Sequence, residues 1–314
     1  MERMWNWKAP EKRSTWRFLA KYNIRPRDFL FVITMLVIPI IHFCVFYIYV
    51  NLQSFVMAFH LPTGELSFLT MQTVLEDIFI GGEESTLLLS IGNTLLYFTK
   101  DLLFIPFHVL IAYFLYRKVA GHKAFQVILY LPSLVSGVAI ASMFQCFIRP
   151  QGPLGELLKL MGVNPVPNFL GDSDYATWTI LLYTMWLGWA GQMLILGGAM
   201  VRIPVEVLES ARMDGIGTFR EITQMVIPLL WPTLSTLLIL QMTGVFGAGG
   251  PILLFTQGNF KTSTLAWWIF EKVKYSGSAA YNEVAAAGLV FTVIGVPIIL
   301  GVRKAIESIR VAEY

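Results

Sequence analysis

The stretch Ile203-Pro-Val-Glu-Val-Leu-Glu-Ser-Ala-Arg-Met-Asp-Gly-Ile-Gly-Thr-Phe-Arg-Glu-Ile-Thr-Gln-Met-Val-Ile-Pro228 decides how this chain is read. Pro204 is pre-organised for a first helical turn, after which Val207, Leu208 and Ala211 share one face. Gly215 and Gly217 stop that helix, because glycine enters the left-handed backbone region at little cost. Thr218 restarts it, with Glu221 three residues on in the capping-box position. Phe219, Ile222 and Val226 then follow at helical spacing. The expectation is helix, glycine turn, helix, with small residues at the tip. Two such short helices are marginal alone in water, so the motif makes physical sense as something that docks into a partner.

Outward from this stretch the chain is apolar. Of its 314 residues 56% are hydrophobic and 14% charged, with a mean hydropathy of +0.64. A soluble domain carries about 25% charged residues. A chain this apolar needs lipid to cover its surface, so it is expected to be an all-α, polytopic membrane protein. Six segments are long enough to span: Phe29–Ala58, Leu87–Tyr116, Ala124–Ile148, Tyr175–Val201, Pro228–Phe255 and Val284–Val302. The fifth is interrupted by Gly244, Gly247, Gly249, Gly250 and Pro251. A break at membrane depth is tolerated where protein or a water-filled cavity satisfies the freed backbone groups, so this segment is expected to line a pathway. The first apolar run starts near Phe29 and is too long for the h-region of a signal peptide. Cys44 and Cys146 sit inside apolar runs and read as small hydrophobes.

Lysine and arginine orient the spans. Seventeen of the 23 fall on one side, in the segment before Phe29, around Arg117–Lys123, in the 202–220 loop and in the tail from Arg303. The opposite loops carry five: Arg149, Lys159, Lys261, Lys272 and Lys274. Both termini are therefore expected in the cytoplasm. The basic lead-in, with Trp5, Trp7 and Trp16, reads equally as a surface-lying helix or as a solvated segment.

Glu209-Ser210-Ala211, Asp214-Gly215, Met225 and Ile227-Pro228 resemble the EAA loop of permease subunits of binding-protein-dependent ABC importers, in particular those of the carbohydrate-uptake class. Ser210, Met225 and Ile227 stand where that pattern has Ala, Ile and Leu, which are conservative departures. The likeness runs from about Leu87 to Val302 and includes Asn93-Thr94, Leu131-Pro132 and Trp186-Leu187-Gly188.

The resemblance implies a type I ABC importer permease core of six transmembrane helices. It divides the chain into a basic segment at 1–28, a transmembrane domain at 29–302 with its coupling loop at 203–228, and a tail at 303–314. It implies a second homologous permease, two ATPase subunits and an external solute-binding protein as partners, in the lipid of the inner membrane. ATP and magnesium would be held by the ATPases; the chain has no Gly-x4-Gly-Lys-[Ser/Thr] loop, and none of its residues is expected to be catalytic or metal-binding. Glu209, Ser210, Ala211, Asp214 and Gly215 would meet the ATPase. Carried across by spacing, the sugar-contacting positions would be Ser133, Gly137, Thr184, Leu187, Gly188, Gln241 and Val245, with the alternative that these positions only pack a glycine-rich helix interface. A saccharide is the expected cargo; a non-sugar solute is the alternative.

Other features are less directive. Lys100 and Asp101 fall inside the second span, either as a charge pair at an interface or with Lys100 snorkelling outward. His42, His60, His108 and His122 lack metal-ligand spacing and read as structural. Trp178, Trp186, Trp189, Trp267 and Trp268 read as interfacial anchors. The 150–167 and 260–283 stretches are outer loops suited to meeting a binding protein. An ion-coupled carrier would need carboxylates or broken helices in related halves, and only Asp101 lies well inside a span. No paired carboxylates, His/Glu set or Ser/Lys pair suggests an intramembrane enzyme, and the net charge of +3 does not point to nucleic acid.

Overall fold

The computed structural model describes residues 26–61, 63–82 and 85–309. The basic lead-in with its tryptophans and Arg310 lie outside them. The chain divides into two compact units, 1–57 and 58–314. In the first, Pro26–Phe43 (α1) passes through a π-helical turn at Cys44–Tyr49 into Val50–Ala58 (α2), giving an apolar helix long enough to span.

Among its described residues, the second unit is built of helices joined by loops, with one isolated β-bridge between His60 and Leu66. Leu69–Phe79 (α3) precedes the long Thr86–Tyr116 helix (α4), which is capped where Ser85 Oγ accepts the Leu88 N–H. His122–Leu134 (α5) and Gly137–Ile148 (α6) follow, then the short Pro153–Leu160 (α7) and the spanning Ala176–Met200 (α8). The remaining helices are Val205–Met213 (α9), Thr218–Glu221 (α10), Ile227–Thr243 (α11), Ile252–Phe255 (α12), Leu265–Tyr275 (α13) and Tyr281–Ser308 (α14).

Two expectations about the spans are corrected. The third is not one rod. α5 and the helical segment from Gly137 to Leu160 meet at 106°, so six spans are reached only when this bent pair counts as one. Pro132 withdraws a backbone donor near the end of α5, Val135 is extended, and Gly137 restarts the helix. The fifth span does not begin at Pro228. Thr218–Thr243 is one continuous helix, carried through a π segment at Ile222–Val226. The arm after the glycine turn is therefore the foot of the fifth span and not a free-standing short helix. The last helix runs past Val302 to Ser308.

The expected break is present. α11 ends at Thr243, a 3-10 turn occupies Val245–Gly247, and α12 starts at Ile252. Gly250 is where the broken segment touches its neighbours: a Cβ there would meet Ile180 Cγ2 at 2.5 Å and Thr184 Cγ2 at 3.1 Å. Trp267 and Trp268 are buried, the first with Tyr97, Ile180 and Ile252, the second with Leu87 and Ala286. They are core residues and not interfacial anchors.

Candidate functional site

The site has two parts, a turn at one end of the second unit and a break in the helix that leaves it. At the turn, α9 buries Leu208 and Ala211 against its own protein; Leu208 joins a cluster with Val109, Tyr113, Met200, Ile222 and Val226. Ala211 is thus not available for the close approach to a partner that the sequence suggested, because the inner face of α9 is already covered. Glu209, Ser210, Asp214 and Gly215 are exposed. Ser210 Oγ donates back to the Val207 carbonyl at 3.0 Å. Gly215 has φ +78°, and a Cβ at this position would meet nothing within 4 Å, so the turn demands glycine for backbone and not for space.

The capping box is not formed. Gly217 occupies the N-cap position without a side-chain bond. Glu221 instead points inward and is 1% exposed. Arg117 Nη1 donates to the Tyr113 hydroxyl at 3.1 Å, with its guanidinium 5.6 Å from the Tyr113 ring. Ile222 and Val226 are buried as their helical spacing led one to expect. Phe219 shares that spacing and is nonetheless 79% exposed, while Met213 before the turn is 88% exposed. Two large apolar side chains therefore flank Gly215 in the open.

The second part is the break. Gln241 is one turn before it, and its Oε1 is buried without a hydrogen-bond partner. Val245 opens the 3-10 turn. On α8, Thr184 Oγ1 accepts from Lys100 Nζ at 3.1 Å, and Leu187 packs against Ile140, Ala141 and Tyr183. Lys100 is only 12% exposed and pairs with Asp101 at 2.6 Å. It does not snorkel: two acceptors at its own depth hold it in. Ser133, Gly137 and Gly188 lie on exposed surface, with the Ser133 hydroxyl turned back to the Tyr130 carbonyl. Among the described residues, no hydrogen bond joins these three to Gln241 or Val245. The predicted pathway positions are thus divided between an exposed face and the region of the break.

Beyond the break, the 256–264 loop is held by α4. Asn93 Nδ2 donates to the Lys261 and Ser263 carbonyls at 2.8 and 2.7 Å. Thr94 Oγ1 accepts the Leu265 N–H at 2.9 Å, and the Ser90 and Ser263 hydroxyls bond at 2.7 Å. Gln257, Phe260 and Lys261 have φ between 51° and 57°, a region non-glycine residues seldom adopt. Asn93-Thr94, noted in the sequence as a landmark, is a backbone clamp.

A polytopic helical bundle with an exposed turn leading into a broken span defines a membrane translocation subunit. The family profile for the inner membrane component of binding-protein-dependent transport systems matches residues 105–309, and the chain belongs to that family. Protein LplB of Bacillus subtilis is 26% identical over 309 residues, covering 94% of this chain and 90% of that protein. The arabinooligosaccharides transport system permease protein AraP of the same organism is 24% identical, covering 90% of this chain and 89% of its own. The fold is shared with a bacterial ABC transporter involved in the import of the acidic polysaccharide alginate, at a TM-score of 0.79 and 24% identity over 94% of this chain and 99% of that one.

Proposed function

We propose that this chain is the permease subunit of an ATP-driven importer for a mono- or oligosaccharide, coupled to separate ATPase subunits through the turn at Glu209–Gly217. The observation that carries the coupling is the continuity of Thr218–Thr243: a helix that starts at an exposed turn and ends at the break. Met213 and Phe219 are the apolar anchors the turn offers, with Glu209 and Asp214 as charged rim. Ser210 beside them leaves room for close approach. ATP and magnesium belong to the ATPases, and no residue here is assigned a catalytic role.

The saccharide reading rests on the relatives, since AraP is named for oligosaccharide transport and the structural neighbour for alginate import. Thr184 and Gln241 add hydrogen-bonding groups suited to hydroxyls. The exposed Ser133, Gly137 and Gly188 surface suits a pathway shared with a second permease. Lysine and arginine asymmetry supports a reading with both termini and the turn in the cytoplasm, and the 256–264 loop on the side where a binding protein would deliver solute.

Reconstitution tests this. The chain, co-expressed with its second permease and ATPases, should hydrolyse ATP faster when a saccharide-loaded binding protein is added. Phe219→Asp together with Met213→Asp should leave the chain in the membrane but lose the ATPase on purification. Retention of the ATPase by that double variant removes the turn as the docking element. Stimulation by a non-sugar solute and by no saccharide overturns the cargo. Reporter fusions after Lys159 and after Asp214 should read outside and inside respectively, and the reverse pattern overturns the orientation.

A further inference from the structure

The loops assigned to the outer side carry five lysines and arginines, and three of these have partners. Lys159 pairs with Glu156 at 2.8 Å and Lys272 with Glu283 at 2.7 Å, while Lys274 lies over the Phe270 and Tyr275 rings. Arg149 and Lys261 are exposed, and among the described residues neither side chain has an ion pair. Arg149 lines a cavity of about 310 Å³ together with Gln145, Asn168, Phe255 and Phe260. Phe255 ends α12, so the cavity lies where the broken span gives way to the 256–264 loop.

Close backbone packing fixes its walls. Gln145 Nε2 donates to the Leu254 carbonyl at 2.7 Å and ties the end of α6 to α12. A Cβ at Gly152 would collide with the Cys146 carbonyl, and one at Gly155 with the Pro150 carbonyl. The chain that follows Arg149 is thereby pinned against the end of α6. A Cβ at Gly171 would likewise collide with the Asn168 amide, which lies across it. Phe255 continues inward as an aromatic row: its ring is 4.9 Å from Tyr183 and 5.9 Å from Phe144, and Trp186 is 6.2 Å from Tyr183. Trp186 sits on α8 between Thr184 and Gly188, two of the positions read as the pathway.

Ring faces and amides suffice for a neutral sugar, the first taking its apolar faces and the second its hydroxyls. A guanidinium adds something else. It is a planar fork of donors that matches a carboxylate or a phosphate, and such charge-assisted bonds are roughly twice as strong as neutral ones. We propose that this cavity is an entry subsite for an anionic saccharide, with Arg149 on its charged group, Asn168 on a hydroxyl and Phe260 against the ring. The inference rests on the saccharide reading above and narrows it to charged sugars.

The test uses the complete importer purified in detergent without its binding protein, and reads weak binding by saturation-transfer NMR. The probes are methyl glucuronide, glucose 6-phosphate and neutral methyl glucoside, which share a ring and differ in charge. At least one anionic probe should bind more tightly than the glucoside, and the two anionic arms tell carboxylate from phosphate. Arg149→Gln should weaken that anion about tenfold, to the level of the glucoside, and leave the glucoside unchanged. Arg149→Lys keeps the charge without the fork and should retain part of the preference. Asn168→Ala and Phe260→Ala should weaken charged and neutral probes alike. Equal binding of all three probes, or an undiminished anion preference in Arg149→Gln, overturns the anionic subsite while the saccharide reading stands. If Arg149→Gln instead loses only the binding protein on co-purification, the arginine meets an acidic side chain of that protein and the subsite is overturned. If no probe binds and only a non-sugar solute stimulates ATP hydrolysis, the saccharide reading falls with it.

Discussion

The two ends of the second unit are held together by different physics. At the turn end, order comes from helix continuity and apolar burial: Thr218–Thr243 is one rod, seated on Val109, Met200 and Leu208. At the opposite end the chain leaves the helix at Gly244, and the 256–264 loop is fixed by side chains of α4 that take the place of a backbone ladder. A rod transmits displacement, whereas a clamped loop holds a shape. Under the proposed coupling, the difference suits an end that receives mechanical work and an end that presents a surface without yielding. It also explains why three non-glycine residues with positive φ lie in the clamped loop, where surrounding bonds over-determine the backbone.

The contrast is broken most sharply at the turn. Glu209→Lys should cost on the order of 2–5 kcal/mol of docking energy by setting like charge against a cation on the ATPase. ATPase recovered with the purified chain measures it, and undiminished recovery says that the exposed carboxylate makes no paired contact. At the clamped end Asn93→Leu leaves two carbonyls without their donor, an expected loss of about 2–4 kcal/mol. Denaturant unfolding of the purified complex in detergent reports that loss; a change near zero means the loop is held by the apolar contacts of Trp267 and Ile252 instead.

Where the rod meets the clamped region, Gly250→Ala sharpens the comparison. Its Cβ would sit 2.5 Å from Ile180 Cγ2, and the overpacking should cost about 1–3 kcal/mol. Pairing it with Ile180→Val should recover part of that loss, and no recovery would place the strain elsewhere. The smallest effect is expected for Gln241→Leu. Its Oε1 is buried and unpartnered, so stability should stay the same or rise by about 1 kcal/mol. Saccharide uptake or selectivity should change while assembly survives. Unchanged uptake of every solute the system carries removes Gln241 from the pathway.

Much of this was legible in the sequence, and the reason is local. Spans are runs of apolar residues of fixed length, and a glycine turn or a glycine-rich break is written in adjacent residues, so α4, α8, Gly215 and the 244–251 interruption were readable from composition and spacing. What failed was each inference about which neighbour a side chain meets. Glu221 satisfied a capping pattern in sequence, yet Gly217 takes the N-cap position and the Glu221 side chain is buried. Ala211 looked free at a tip and is covered, while Phe219 looked packed and is bare. Lys100 was open to either reading until Thr184 and Asp101 were found beside it.

Hydropathy and turn chemistry, summed along the chain, determined that this is a polytopic helical membrane protein with an exposed turn and a broken fifth span. The tertiary structure decided that the helix after the turn runs without a stop into the broken span, and that α4 clamps the 256–264 loop through Asn93. The physical reason is distance along the chain. Backbone hydrogen bonds within a helix and glycine conformations involve residues a few positions apart. Asn93 and Lys261 are separated by whole spans, and only packing brings a buried polar group to the partner that repays its desolvation.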